Sequence, residues 1–277
     1  MKKAFILCIA ALCVLYSCKP KAREDIVAIH TPYGVIKVRL YDKTPKHRDN
    51  FLKLVQSGFY DSTLFHRVIK GFMIQAGDPD SKQAQPGQLL GEGDTNYRIP
   101  AEFIDEYLNK RGALAAARES DDVNPEKESS ACQFYIVQGR KFTDAGLDSA
   151  EQKRERYTKS YILIDILKKK NDTTELKKFQ EFFDKRDIPN MVLMLDKYRE
   201  LVDAEYAKVR PWKLTPEQRE IYKTLGGAPH LDGAYTVFGE VISGMGVVDK
   251  IASLSCDTND RPQMDVRLWM KVESRKK

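Results

Sequence analysis

Apolar and polar positions alternate in short runs along much of this chain, and Gly, Pro and Asp separate the runs. Ile26–His30 and Val35–Leu40 read as strands, and Thr31-Pro32-Tyr33-Gly34 between them is a turn, so the pattern opens on a hairpin. Phe51, Leu52 and Val55 then recur at helical steps behind Thr44 as cap and Pro45 as first helical residue, and Gly58 ends the element. Thr63–Gly77 is a second hairpin, turning at Gly71. Residues 78–98, rich in Gly, Pro, Asp and Gln, form a long surface loop, and Ile99–Phe103 returns to extended structure. Gly112–Arg118 is a run of small residues that fits a helix by propensity or a buried strand by its brevity and leading glycine. Gln133–Val137 and Thr236–Val241 are strands, Gly246–Leu254 is an amphipathic helix, and Asp265–Val272 alternates as a last strand.

From about Leu147 to Leu225 the period changes. Tyr161, Ile162, Ile164, Leu167, Leu176, Phe179, Phe182 and Phe183 recur at three- and four-residue steps in a highly charged background. Thr173 or Thr174 caps a second helix, Asp187-Ile188-Pro189-Asn190 breaks the chain again, Met191–Lys208 is a third amphipathic stretch, and Thr215-Pro216-Glu217-Gln218 starts a short helix stopped by Gly226-Gly227. Such an aromatic stripe is core, a helical pair packed on the main domain, or a partner surface. Outside this stretch strands outnumber helices, and neither a βαβ alternation nor a phosphate-binding glycine loop is present. The fold class is therefore mainly β, an antiparallel barrel with two flanking helices.

Charge changes little in this picture. The 277 residues carry 46 Lys and Arg against 40 Asp and Glu, a spread excess of +6 without a basic, aromatic-interleaved run, so no nucleic-acid partner is expected. The N-terminus changes more. Lys2 and Lys3 precede an apolar run, Ala4–Leu15, too short for a mature membrane span, and Leu15-Tyr16-Ser17-Cys18 closes it. This is similar to a bacterial lipoprotein signal over residues 1–18, with Cys18 lipidated; the alternative is an ordinary cleaved signal. Residues 19–25 form a tether. The lipoprotein reading implies a cell-envelope location, on the periplasmic side of an outer membrane, with the membrane reached through an N-terminal lipid anchor. Of five cysteines only Cys132 and Cys256 lie in the body, either as one disulfide or as two free thiols. The four histidines are isolated from one another, and no metal is expected.

The hairpin at Gly71 carries the candidate chemistry. Its register sets Ile69 opposite Met73 and Arg67 opposite Gln75, all on one face. An Arg in an apolar strand needs a partner or a task. Either the Arg snorkels from a core hairpin, or the face grips an uncharged, partly apolar ligand with a guanidinium held by an amide.

Phe65-His66-Arg67-Val68-Ile69, Gly71-Phe72-Met73-Ile74-Gln75-Ala76-Gly77-Asp78, Gln133-Phe134-Tyr135-Ile136 and Leu231-Asp232-Gly233-Ala234-Tyr235-Thr236-Val237-Phe238-Gly239 together resemble the cyclophilins, peptidyl-prolyl cis-trans isomerases. The resemblance covers residues 26–142 and 226–273 and leaves 143–225 as a helical insertion. It implies a closed eight-stranded antiparallel barrel capped by two helices, a monomer without cofactor, and proline-containing polypeptides as partners. Residue by residue it makes Arg67 catalytic. Phe72, Met73, Tyr135 and Leu231 would line a proline pocket, with Tyr235 beside them. Gln75 and Gln133 would hold Arg67 and substrate backbone, Ala117 and Arg118 would present main-chain groups, and His66 would lie at the pocket edge. His230 stands where many members have Trp, Tyr235 where they have His, Tyr135 where Phe is commoner, and Arg118 where Asn is common. The implied function is isomerisation of X–Pro bonds in exported proteins. The alternatives are a non-catalytic proline-peptide module and a chaperone acting through residues 143–225, which enter and leave near pocket residues and so would overhang the substrate groove.

Overall fold

Period-two alternation becomes an antiparallel sheet. The computed structural model describes residues 25–274 apart from Asp122 and Arg210; Cys18 and the expected signal and tether up to residue 24 lie outside the described residues. The main sheet contains β1 (Asp25–Thr31), β2 (Gly34–Leu40), β3 (Phe65–Ile69), β4 (Met73–Ala76), β6 (Ala113–Ala116), β8 (Phe134–Val137), β9 (Val237–Ser243) and β10 (Trp269–Ser274). Its order is β10-β1-β2-β9-β6-β8-β4-β3; β5 (Arg98–Ile99) and β7 (Ser129–Ser130) pair separately.

The sheet curls, but its ladder does not close, which corrects the expected closed barrel. The expected last strand is split. Residues 269–274 pair with β1, whereas Val266 to Leu268 turn to the opposite edge. There Ser62 N–H donates to Leu268 O, Leu268 N–H to Thr63 O and Phe65 N–H to Val266 O, each at 2.9 Å. Three hydrogen bonds and one bridge, Leu64 with Arg267, span the seam of a half-barrel where a strand ladder would run.

Side-chain alternation gives β4, β6 and β8 two different faces. Ile74, Ala76, Leu114, Ala116, Phe134 and Ile136 point into the main core, which is closed by Phe51, Leu54 and Val55 of α1 (Pro45–Gln56) and by Val248 and Ile251 of α7 (Met245–Ala252). Met73, Ala113, Ala115, Tyr135 and Val137 point outward and form a second apolar layer with Ala228, Leu231 and Val237. The run at 112–118 is thus a strand. Hydrogen bonding to β8 and β9 on both sides outweighs the helix propensity of its alanines.

Between β8 and β9 lie α2 (Asp144–Lys169), α3 (Thr173–Asp184), α4 (Ile188–Lys197), α5 (Arg199–Tyr206) and α6 (Pro216–Thr224). Asp172, and neither expected threonine, caps α3 by accepting from Glu175 N–H at 3.1 Å. The single helix expected over Met191–Lys208 is broken at Tyr198. Thr215 and Gln218 form a reciprocal capping box that starts α6. The aromatic stripe is core: Leu163, Leu167, Phe179, Met191, Met194 and Val202 bury one another. Leu147, Leu214 and Tyr222 join Leu108 in a small cluster that ties the helices to the sheet side. Cys132 and Cys256 are free thiols.

Candidate active site

The outer face of β3, β4 and β8 holds the polar groups singled out by the hairpin register. Gly71 turns the chain at φ +75°, a conformation that favours glycine, and Ile69 faces Met73 while Arg67 faces Gln75. The Arg67 guanidinium lies 3.5 Å from Gln75 Oε1 and, on its other side, 3.5 Å from Asp260 Oδ2. Both contacts are long, so Arg67 is placed but keeps donors to spare.

The amides behind it are fixed by backbone. Gln133 Nε2 donates to Gly91 O (2.9 Å) and Gly93 O (2.6 Å). Carbonyls only accept, so the Gln133 NH₂ must face them and its Oε1 must accept from Gln75 Nε2 at 3.0 Å. That in turn aims Gln75 Oε1 at Arg67. Gly93 is required here because a Cβ would stand 2.1 Å from Asp78 Oδ1, and Asp78 shapes the loop by accepting from Asp80 N–H and Gly91 N–H. The hairpin showed Arg67 and Gln75. It did not show Asp260, Gly91 or Gly93, which arrive from distant loops without periodicity.

His66 is not at a pocket edge. The β3–β4 register slips between Phe65 and Arg67, and His66 is the extra residue of that bulge. It is 3% exposed, beneath Gly91, with neither ring nitrogen hydrogen-bonded. Burial, partly countered by Asp78, pulls its pKa down to about 4, so the ring is neutral.

Phe72, Met73, Tyr135, Leu231 and Tyr235 meet in the outer apolar layer. Tyr135 and Tyr235 contact edge to face at 5.9 Å. The Tyr135 hydroxyl does not polarise this wall. It donates inward to Asn109 Oδ1 at 2.8 Å, and Asn109 N–H and Nδ2 donate to Asp232 Oδ1 at 2.7 and 3.1 Å. Tyr222 of α6 donates to Asp232 Oδ2 at 2.5 Å. Burial raises the Asp232 pKa, against the opposing pull of these hydrogen bonds. Neither Asn109 nor Tyr222 was visible as a site residue, because both sit in segments that read as loop and outlying helix.

The Ala117 N–H is taken by Gln133 O and its carbonyl accepts from Ser130 N–H, both at 2.9 Å, so the carbonyl's second lone pair is the main-chain group Ala117 can offer a ligand. The Arg118 guanidinium lies over the Tyr235 ring at 4.5 Å, donates to Ala234 O at 2.7 Å and pairs with Asp121 at 2.6 Å. It therefore buttresses Tyr235. A cavity of about 830 Å³ opens beside this end of the site, bordered by Phe72, Arg118, His230 and Tyr235 and roofed by α2. Arg67, Met73, Gln75 and Gln133 do not line it.

The family model described as "Cyclophilin type peptidyl-prolyl cis-trans isomerase/CLD" matches residues 26–157 and 218–272. The chain belongs to the cyclophilin family. A peptidyl-prolyl cis-trans isomerase of Arabidopsis thaliana is 27% identical over 248 residues, 87% of this cyclophilin and 91% of the relative. A Streptococcus pyogenes protein named for both a phosphatase and a peptidyl-prolyl cis-trans isomerase is 28% identical over 243 residues; this cyclophilin spans 37% of its length. The crystal structure of a cyclophilin type peptidyl-prolyl cis-trans isomerase of Cryptosporidium parvum superposes with a TM-score of 0.52 at 20% identity, covering 91% of this chain and 99% of that one, which supports the shared fold.

Proposed function

We propose that this cyclophilin accelerates cis–trans rotation of X–Pro bonds in exported polypeptides, with Arg67 as the catalytic group. The observation that carries the reading is a half-exposed guanidinium, aligned by Gln75 and Asp260, beside an apolar patch of Phe72, Met73, Tyr135 and Leu231. Rotation is slow because the nitrogen lone pair is delocalised into the carbonyl, a barrier of roughly 18–20 kcal/mol. A donor at the proline nitrogen favours the pyramidal, deconjugated nitrogen of the twisted state. The Arg67 guanidinium offers a rigid fork of five donors, and apolar walls around the ring strengthen its hydrogen bond. Gln75 and Gln133 keep the guanidinium turned toward the substrate, while Met73, Tyr135 and Leu231 seat the proline ring and Phe72 and Tyr235 border it.

The helical insertion expected over residues 143–225, of which 158–217 fall between the two family-matched segments, binds polypeptide or restricts access to the groove in the same proposal. Cys18 is the proposed lipid attachment point, which would hold the protein at a periplasmic membrane face. Radiolabelled fatty acid incorporated into the wild type and lost in Cys18→Ser would uphold the anchor; equal labelling would remove it. Isomerisation of a short Ala-Pro-Phe-type peptide, with Arg67→Ala alongside, tests the catalytic assignment. A wild-type rate no faster than that of the variant sinks it.

A further inference from the structure

The cavity beside the site is electrostatically lopsided. Lys70, Arg140, Lys153, Arg154 and Arg186 line it, and none of the five forms an ion pair with a carboxylate among the described residues. The carboxylate on its wall, Asp121, is taken by Arg118 at 2.6 Å and by Lys127 at 3.6 Å. Elsewhere the same helices pair their charges. Lys159 meets Glu155 and Asp203, Lys213 meets Glu151, Arg219 meets Asp148, and Lys185 meets Glu181. Of the α2 cations, Lys153 and Arg154 are the ones that line this cavity, whereas Arg156, also without an ion pair among the described residues, faces α4 and α5. Lys153, Arg140 and Arg186 remain exposed, while Arg154 lies over Trp212 and donates to the Asp232 carbonyl.

Gathering like charges in a recess is unfavourable unless something anionic enters. The recess is also continuous with the site. Phe72 belongs to the outer apolar layer and to the cavity wall, and its ring lies 5.4 Å from that of His230 on the same wall. An extended chain advances about 3.3–3.6 Å per residue, so a polypeptide with its proline on the apolar patch reaches the cavity within a few residues.

We propose that this cavity is a subsite for the acidic flank of the substrate, selecting polypeptides that carry Asp or Glu residues close to the isomerised proline. The inference rests on the proline-site reading above. A recess between helix and sheet suits a threaded chain better than a flat anionic surface, which favours a polypeptide over a lipid headgroup. The potential is felt by His230: partial burial, then Lys153, Arg154 and Arg140, draw its imidazolium pKa down to about 4.

The test compares kcat/KM for two peptides with one shared X–Pro core, one flanked by glutamates and one by glutamines, followed by NMR exchange on the full-length chain. The wild type is expected to prefer the acidic peptide by about tenfold or more at low salt, and to lose the preference near 0.5 M salt because exposed charges are screened (roughly) beyond a few ångströms there. In Arg140→Gln/Lys153→Gln the ratio should fall toward one, and in Arg140→Glu/Lys153→Glu it should invert; circular dichroism checks both, and the glutamine pair stands if the charge reversal misfolds. A wild-type ratio near one, or a ratio the variants do not move, overturns the subsite while leaving the isomerase reading intact. If no peptide is isomerised, the isomerase reading fails instead. Anisotropy of the labelled acidic peptide then decides the cavity alone, where binding lost in the variants upholds it and equal binding overturns it. A ratio near one together with phosphatidylglycerol vesicles that retain the wild type better than the variants would assign the cavity to a lipid surface and overturn the polypeptide proposal.

Discussion

Two contacts of 3.5 Å hold Arg67 without saturating it. A guanidinium has five donors in a rigid fork, so alignment by Gln75 and Asp260 leaves donors for a ligand. Arg67→Ala should therefore lower kcat/KM by about 10²–10³, the loss typical of one positioned donor, with the melting temperature almost unchanged because the side chain is half exposed. Arg67→Lys keeps the charge but not the fork, and should recover only a fraction of the loss. His66 gives a different test. Its folded pKa, about 4, lies below the ordinary histidine value of 6.5, so between these the unfolded chain holds a proton that the native state lacks. Stability is then fully present above pH 6.5 and falls as pH drops toward 4, by up to about 1.4 kcal/mol per pH unit from this group. Urea midpoints of His66→Leu should fall less steeply than wild type across that window; parallel curves would show that His66 does not titrate in this way. Of these residues, Arg67 and Gln75 were legible because a two-residue alternation about Gly71 fixes who faces whom. Asp260 was not, since it comes from a turn near the far end of the chain, and the bulge that buries His66 leaves no mark on the alternation.

Elements were legible where local chemistry agreed with tertiary surroundings. Thr44-Pro45 marked the start of α1, yet the orphan N–H groups of Lys46 and His47 are satisfied by the Glu102 carboxylate at 3.2 and 3.1 Å, and the Thr44 side chain makes no cap bond. β6 was ambiguous, and the last strand, read as one run, is split between two edges. Small residues take their state from neighbours, and one alternating run can serve two partners in succession. The link between α6 and the site wall was hidden altogether, because Tyr222, Asp232, Asn109 and Tyr135 share no spacing. Their hydrogen bonds run from the helix to the back of the Tyr135 ring. Tyr222→Phe would remove a donor from a buried carboxylate and should cost about 1–3 kcal/mol. It should also raise KM more than it lowers kcat, since the wall loosens while Arg67 stays in place. A stability loss without any change in KM would mean that the network only anchors α6.

At the scale of the molecule, α2 belongs to two bodies of packing. Leu147 joins Leu108 and Tyr222 beneath the site, whereas Leu163 and Leu167 lie in the separate core of α3, α4 and α5. The first half of α2 and most of α6 also fall within the family-matched residues, and 158–217 do not. Removing 158–217 and joining the stubs with a short flexible linker would therefore take away the outlying core but keep the docking cluster residues Leu108, Leu147 and Tyr222, and keep Arg67, Gln75 and Gln133 untouched. A short neutral peptide needs only the apolar patch and Arg67, so its kcat/KM should change less than about threefold on deletion, within roughly 0.7 kcal/mol. On the acidic-flank proposal, a refolding protein limited by proline isomerisation would present a long chain to the cavity under α2. Deletion strips Thr158 and Arg186 from the cavity wall, so acceleration of refolding should fall about tenfold or more if the helices engage the chain. A rise for the protein substrate would instead make the helices a barrier to the groove. Unchanged kinetics on both substrates would show that residues 158–217 neither bind the polypeptide nor restrict its access.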